Sequence, residues 1–161
     1  MKLCAVFKPI LGLAALFAIA GADFTPRRTG VQIGVVEVNE KGEEQSFTPS
    51  PDIPNVPGTI FGWDLAIESI EPELKVTLMR ELTMPGPTNW GAPDPSVKIS
   101  PDRKTWRTTS EVTFEGGRFF EAMEVSPGDP SGRATITFAI NDKSVGPIAM
   151  TFMSPERGKP K

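Results

Sequence analysis

An alternation of period two limits what this chain can fold into. In Thr59 to Ile70 (TIFGWDLAIESI), Phe61, Trp63, Leu65 and Ile67 fall on one side; Gly62, Asp64, Ala66 and Glu68 fall on the other. Successive side chains of a strand point to opposite faces, so this pattern predicts a half-buried strand. Arg133 to Ile140 repeats it, with Ala134, Ile136, Phe138 and Ile140 inward. Glu73 to Met84 does the same with Leu74, Val76, Leu78 and Leu82. Leu, Met, Glu and Lys favour helices there, but the alternation over Leu74, Val76 and Leu78 decides for a strand.

Five more segments read as strands. Gly30 to Val38 is rich in β-branched residues, and Glu43 to Thr48 follows the Lys41–Gly42 turn as a short edge strand. Trp106 to Glu115 and Arg118 to Val125 are joined at Gly116–Gly117, a hairpin signal. Val145 to Met153 closes the series, and Pro147 marks it as an edge or bulged strand. Two proline-rich connections interrupt the pattern. Residues 49–58 (PSPDIPNVPG) contain Pro49, Pro51, Pro54 and Pro57 and are expected to form no regular ladder. Residues 84–102 form the second, long enough to be functional or irregularly packed. About seven or eight strands at regular spacing, with no helix, predict an all-β, antiparallel immunoglobulin-like β-sandwich.

The first 22 residues read as a secretory signal peptide. Lys2 and Lys8 precede an uncharged apolar run from Ile10 to Ala20, and Ala20–Gly21–Ala22 supplies small residues for cleavage before Asp23. The run is shorter than the roughly 20 residues of a membrane span, so no stable membrane insertion is expected after cleavage. Cys4, the chain's one cysteine, would leave with this segment, so the mature domain would hold neither a disulfide nor a thiol nucleophile. Such a domain fits a bacterial periplasm or secretion. The expected division is a signal peptide at 1–22, one sandwich domain at 23–155 and a flexible tail at 156–161.

Composition excludes much chemistry. The chain has no histidine, which removes Ser-His-Asp and Cys-His machinery and His-ligated zinc. The net charge of -3 argues against nucleic acid. There is no S-x-x-K or G-x-S-x-G motif and no Gly-rich phosphate cradle.

Asp52–Ile53–Pro54, followed by Pro57 to Gly62 (PGTIFG), resembles a short signature of the exported bacterial domain of unknown function 3859. Phe119 to Val125, Ser126 to Asp129 (SPGD), the strand begun at Gly132 and the closing Met150–Thr151–Phe152 resemble that family's ending. Asp129 to Gly132 (DPSG) departs from it, where a tighter turn with an aromatic residue would be expected. The resemblance implies an exported β-sandwich and no assigned activity.

Candidate sites are few. Asp64 with Glu68, and Glu121 with Glu124, are carboxylate pairs for general acid–base work. Four residues along a strand span roughly 13 Å, more than the roughly 5–10 Å of glycosidase pairs. A solvated outer face is the favoured reading. Asp94 (APDPS) and Asp129 (PGDPSG) lie in loops that could bend around calcium, though turn roles are favoured. Trp90, beside Asn89 in Pro87 to Gly91 (PTNWG), could stack on a sugar or fill a partner's pocket. The competing role, favoured by the loop's length, is to fold back and plug the end of the sandwich. Trp63 and Trp106 read as core.

These readings combine into an exported, non-catalytic module without a cofactor. Trp90, Asn89, Asp94 and Asp129 are its candidate binding residues, and an envelope protein or glycan is its expected partner. The alternatives are a carbohydrate- or calcium-binding sandwich and a small carboxylate-based hydrolase.

Overall fold

The computed structural model describes residues 2–3, 29–39, 44–68, 72–91 and 94–154. Most of the expected signal segment and the tail from 156 lie outside them. Every regular element among the described residues is a strand: β1 (Lys2–Leu3), β2 (Thr29–Val38), β3 (Glu44–Pro49), β4 (Asp52–Pro54), β5 (Ile60–Ile67), β6 (Glu73–Thr83), β7 (Val97–Ile99), β8 (Thr105–Glu115), β9 (Arg118–Glu124), β10 (Gly132–Ile140) and β11 (Lys143–Met153). The eight expected strands are β2, β3, β5, β6 and β8 to β11.

The hydrogen-bonded order is β3-β2-β5-β9-β8-β6-β10-β11-β4, with β1 against β9 and β7 against β8. The path folds into two layers at the β8–β9 hairpin. These strands share a single pair, Glu115 with Arg118. β8 then pairs along its length with β6, while β9 pairs with β5. One layer is β3-β2-β5-β9 with β1 beyond β9, and the other β7-β8-β6-β10-β11-β4; apart from the parallel β4–β11 pair, this is an antiparallel immunoglobulin-like sandwich. The hairpin turns on Gly116 and Gly117, with φ of 57° and 77°. Two positive-φ residues make a two-residue turn whose twist suits the strands.

Rings from the two layers interlock in the core. Phe61 of β5 meets Phe152 of β11 edge to face with centroids 5.1 Å apart, and Trp63 meets Phe138 of β10 at 5.9 Å. Trp63 and Trp106 are core residues, as expected. β6 buries Leu74, Val76, Leu78 and Leu82 between β8 and β10. Burying each such side chain is worth about 1.5–3 kcal/mol, which outweighs helix preferences of a few tenths per residue.

Two expectations are corrected. The proline-rich segment 49–58 does carry a ladder, because Asp52–Pro54 pairs in parallel with Thr151–Met153. Its flanking bonds use the Pro51 carbonyl as acceptor for Thr151 and the Asn55 N–H as donor to Met153. The prolines therefore stand where no N–H is needed. The loop 84–102 likewise contains β7, paired with Val97 opposite Thr108 and Ile99 opposite Trp106. Pro147 behaves as expected: among the described residues β11 is paired on its outer side at 151–153 alone, and a bulge separates Ile136 from Phe138 opposite it.

Candidate functional site

Trp90 turns inward. It is 6% exposed and belongs to the core cluster. Its indole N–H donates to the Arg103 carbonyl at 2.8 Å, and the Thr88 N–H donates to the same oxygen. Arg103, at φ 58°, returns its Nε–H to the Thr88 carbonyl and an Nη2–H to Asn89 Oδ1. The ring anchors the long loop, matching the plug role. Its faces are enclosed, so it offers no platform for a sugar. Asn89 is exposed and its Oδ1 also accepts from the Gly91 N–H.

The two loop aspartates serve their own turns. Exposed Asp94 accepts the Ser96 N–H at 2.8 Å, and that backbone bond holds its carboxyl below the usual range. Asp129 is buried and accepts the Ser126 N–H at 2.7 Å. Burial pushes its carboxyl up against that bond. Asn55 donates to the Asp129 carbonyl and to Ser131 Oγ, tying this turn to the end of β4. Among the described residues, no three carboxylate or other ligand side chains gather around a metal-sized space.

The carboxylate pairs do not converge, and neither Asp64 nor Glu121 is the solvated surface group expected. Asp64 is 6% exposed on the outer face of β5, in a two-point ion pair with Arg118. Arg118 reaches across the β5–β9 ladder to cover it. Glu68 remains exposed. Glu121 stands directly opposite Trp63 in the ladder and shares its core-facing side, whereas Glu124 has the opposite parity.

Glu121 has a partner that sequence reasoning missed. Arg80 lies in the inward row of β6, between Leu78 and Leu82, and is 5% exposed. Its Nη1 donates to Glu121 Oε1 at 2.9 Å, crossing from one layer to the other, and its Nη2 donates to Ser110 Oγ at 2.6 Å. Burial pushes the Glu121 carboxyl up, with Arg80 opposing. The signal was present in the parity, since position 80 belongs to the row of 74, 76, 78 and 82. Among the described residues, β9 between its hairpin pair at Arg118 and its pairs with β1 at Met123 and Glu124 has no ladder partner on that side, and an inward charge on such a stretch hinders pairing with another chain.

The outer face of the first layer also holds apolar groups. Phe47 of β3 and Phe120 of β9 close over the paired Gly34 and Gly62. Beside them, at the end of the sandwich, an open groove of about 640 Å³ is lined by Val35 to Val38, Gln45, Pro54 and Gly58 to Ile60. Val38 and nearby Val56 are 36% and 46% exposed. Its wall is mixed, with Val36, Val38, Pro54 and Ile60 beside the polar Glu37, Gln45 and Thr59.

Fold and surface together define a small β-sandwich module with an open groove of mixed polarity beside β3. Residues 31–152 match the PM0630 beta sandwich domain, and the chain belongs to that family. The resemblance to the domain of unknown function 3859 is supported as far as a β-sandwich domain. Among solved structures, the chain is similar to an immunoglobulin-like protein from Pseudomonas aeruginosa at 16% identity, covering 82% of this chain and 100% of that one, with a TM-score of 0.44. Comparison with curated proteins finds no match.

Proposed function

We propose that the chain is an exported, non-catalytic module that binds an extended segment of an envelope protein. The observation that carries this reading is the open groove beside β3, lined by Val36, Val38, Pro54 and Ile60. β3 ends its layer, and Gln45 of β3 lines the groove. An edge strand beside a groove that holds Val36, Val38, Pro54 and Ile60 supports binding by strand addition: backbone bonds supply affinity, and the groove selects a side chain. The leader-like pattern of residues 1–22 supports export to the periplasm or beyond. A glycan is less favoured, because Trp90 is enclosed.

The test places a photo-crosslinking residue at Gln45, or at exposed Glu111 on the other layer, in cells of the native organism. Adducts to one envelope protein are expected from position 45 and not from 111. They should disappear in Val38→Asp, a variant expected to melt at the same temperature. Equal labelling from both positions, or adducts that survive Val38→Asp, would overturn the proposal.

A further inference from the structure

Among the described residues, one readily oxidised side chain stands open to solvent. The sequence has no histidine or tyrosine, and Trp63, Trp90 and Trp106 are all buried. Cys4, the chain's one cysteine, lies outside the described residues. The methionines within them are Met79, Met84, Met123, Met150 and Met153. Met84, Met123 and Met150 are buried. Met79 is half-buried, with Thr109 and Ala139 beside it in the ladders. Met153 ends β11 and is 49% exposed. Oxidation of methionine follows the access of the oxidant to sulfur, so this position should react first.

The same residue belongs to the edge of the groove. Met153 is the register partner of Pro54, residues so paired share one face of the sheet, and Pro54 lines the groove. Val38, Val56 and Met153 are the exposed large apolar side chains of the described residues. All three belong to this end of the sandwich: Val38 lines the groove, Val56 follows Pro54 closely in the chain, and Met153 pairs with it. Exposed apolar groups gathered in one place mark a contact surface. We infer that Met153 is an oxidative modification site and that its oxidation weakens docking at the groove; the second half rests on the docking reading above. The co-reactant is hydrogen peroxide. A lone pair of Met153 Sδ attacks one peroxide oxygen, and the O–O bond breaks as the S–O bond forms. The sulfur gives up two electrons to the peroxide. The proton of the transferred oxygen passes to the departing hydroxide, which leaves as water. The sulfoxide is polar where the thioether was apolar. A partner's apolar side chain packed against it leaves that new dipole without a hydrogen bond, and such burial is unfavourable.

Two measurements test this. The folded protein is treated with graded hydrogen peroxide, and each methionine-containing peptide is weighed by mass spectrometry. Met153 is expected to gain one oxygen atom well before the other four. Gain at Met79 first, or at Met84, Met123 or Met150 in step with Met153, would overturn the modification site. The second measurement is the crosslinking from position 45 in cells treated with peroxide. Adduct yield should fall several-fold in the wild-type background and stay level in Met153→Leu, which keeps an apolar side chain and has no sulfur there. An unchanged yield in the wild type, or an equal fall in Met153→Leu, would overturn the control of docking and leave the docking reading standing. Absence of adducts without peroxide would instead overturn the docking reading, and the control of docking with it.

Discussion

Phe47 and Phe120 meet edge to face, with ring centroids 5.6 Å apart and planes at 80°. They belong to β3 and β9 of one layer, with β2 and β5 between them. The rings can meet only because Gly34 and Gly62, paired directly across β2 and β5, leave the intervening face bare. A Cβ on Gly34 would stand 2.3 Å from the Thr48 carbonyl oxygen and 2.9 Å from the Phe47 ring; one on Gly62 would stand 2.5 Å from the Glu121 carbonyl oxygen. Backbone oxygens cannot move aside without distorting the ladder. Gly34→Ala and Gly62→Ala are each expected to cost about 1–3 kcal/mol. Gly30 is the control, because a Cβ there meets nothing closer than 3.9 Å. Gly30→Ala should be neutral or stabilising by up to about 1 kcal/mol. Urea unfolding of the three variants checks this; equal effects at all three positions would refute the bare-face account.

Trp90 supports a second expectation. Trp90→Ala removes a buried ring and should cost about 3–5 kcal/mol. Trp90→Phe keeps most of the ring's bulk but loses the bond to the Arg103 carbonyl, which retains the Thr88 N–H. Its cost should be nearer 1 kcal/mol. Thermal melting separates the two, and a Trp90→Ala variant as stable as wild type would contradict the anchoring role.

The layers were legible in the sequence because inward rows were nearly pure in apolar residues. Phe61, Trp63, Leu65 and Ile67, or Ala134 to Ile140, announce a face without reference to any partner. Arg80 and Glu121 were harder because charge conflicts with inward parity, and burial becomes tolerable only when the other layer supplies the counter-ion. That pairing spans 41 residues of chain. Likewise, β4 and β7 escaped because three-residue ladders depend on β11 and β8 for their bonds, leaving little local periodicity. Trp90 could be assigned to a loop but its direction depended on Arg103. The groove was not legible at all, since Val36, Pro54 and Ile60 come together only in the folded chain.

The Arg80–Glu121 pair predicts strong non-additivity. Arg80→Met leaves a buried carboxylate without its donor and Glu121→Leu a buried guanidinium without any acceptor in place of Oε1, and breaking a buried pair from one side in this way costs about 3–5 kcal/mol. The double variant removes both charges and should approach or exceed wild-type stability. It also removes the inward charge from β9. Size-exclusion chromatography should then show more self-association for the double variant, as expected when an apolar border strand loses its guard. A double variant as unstable as the sum of the singles would mean the charges are not coupled.

Glu121 also fixes a direction of pH dependence. Its carboxyl titrates above its ordinary value of 4.5, chiefly because burial penalises the charged form more than Arg80 rewards it. The folded state then binds its proton more tightly than the unfolded state does. The associated stability is fully present below about pH 4.5 and is lost as pH rises through the raised value. Asp129 shifts in the same direction, so wild-type melting alone would mix the two groups. Comparison with Glu121→Gln separates them, since glutamine imitates the protonated acid and does not titrate. The two proteins should melt together at low pH, and the glutamine variant should gain over wild type as pH rises toward neutrality. A gain by wild type over the same range would mean that Arg80 outweighs desolvation and that the carboxyl is shifted downward.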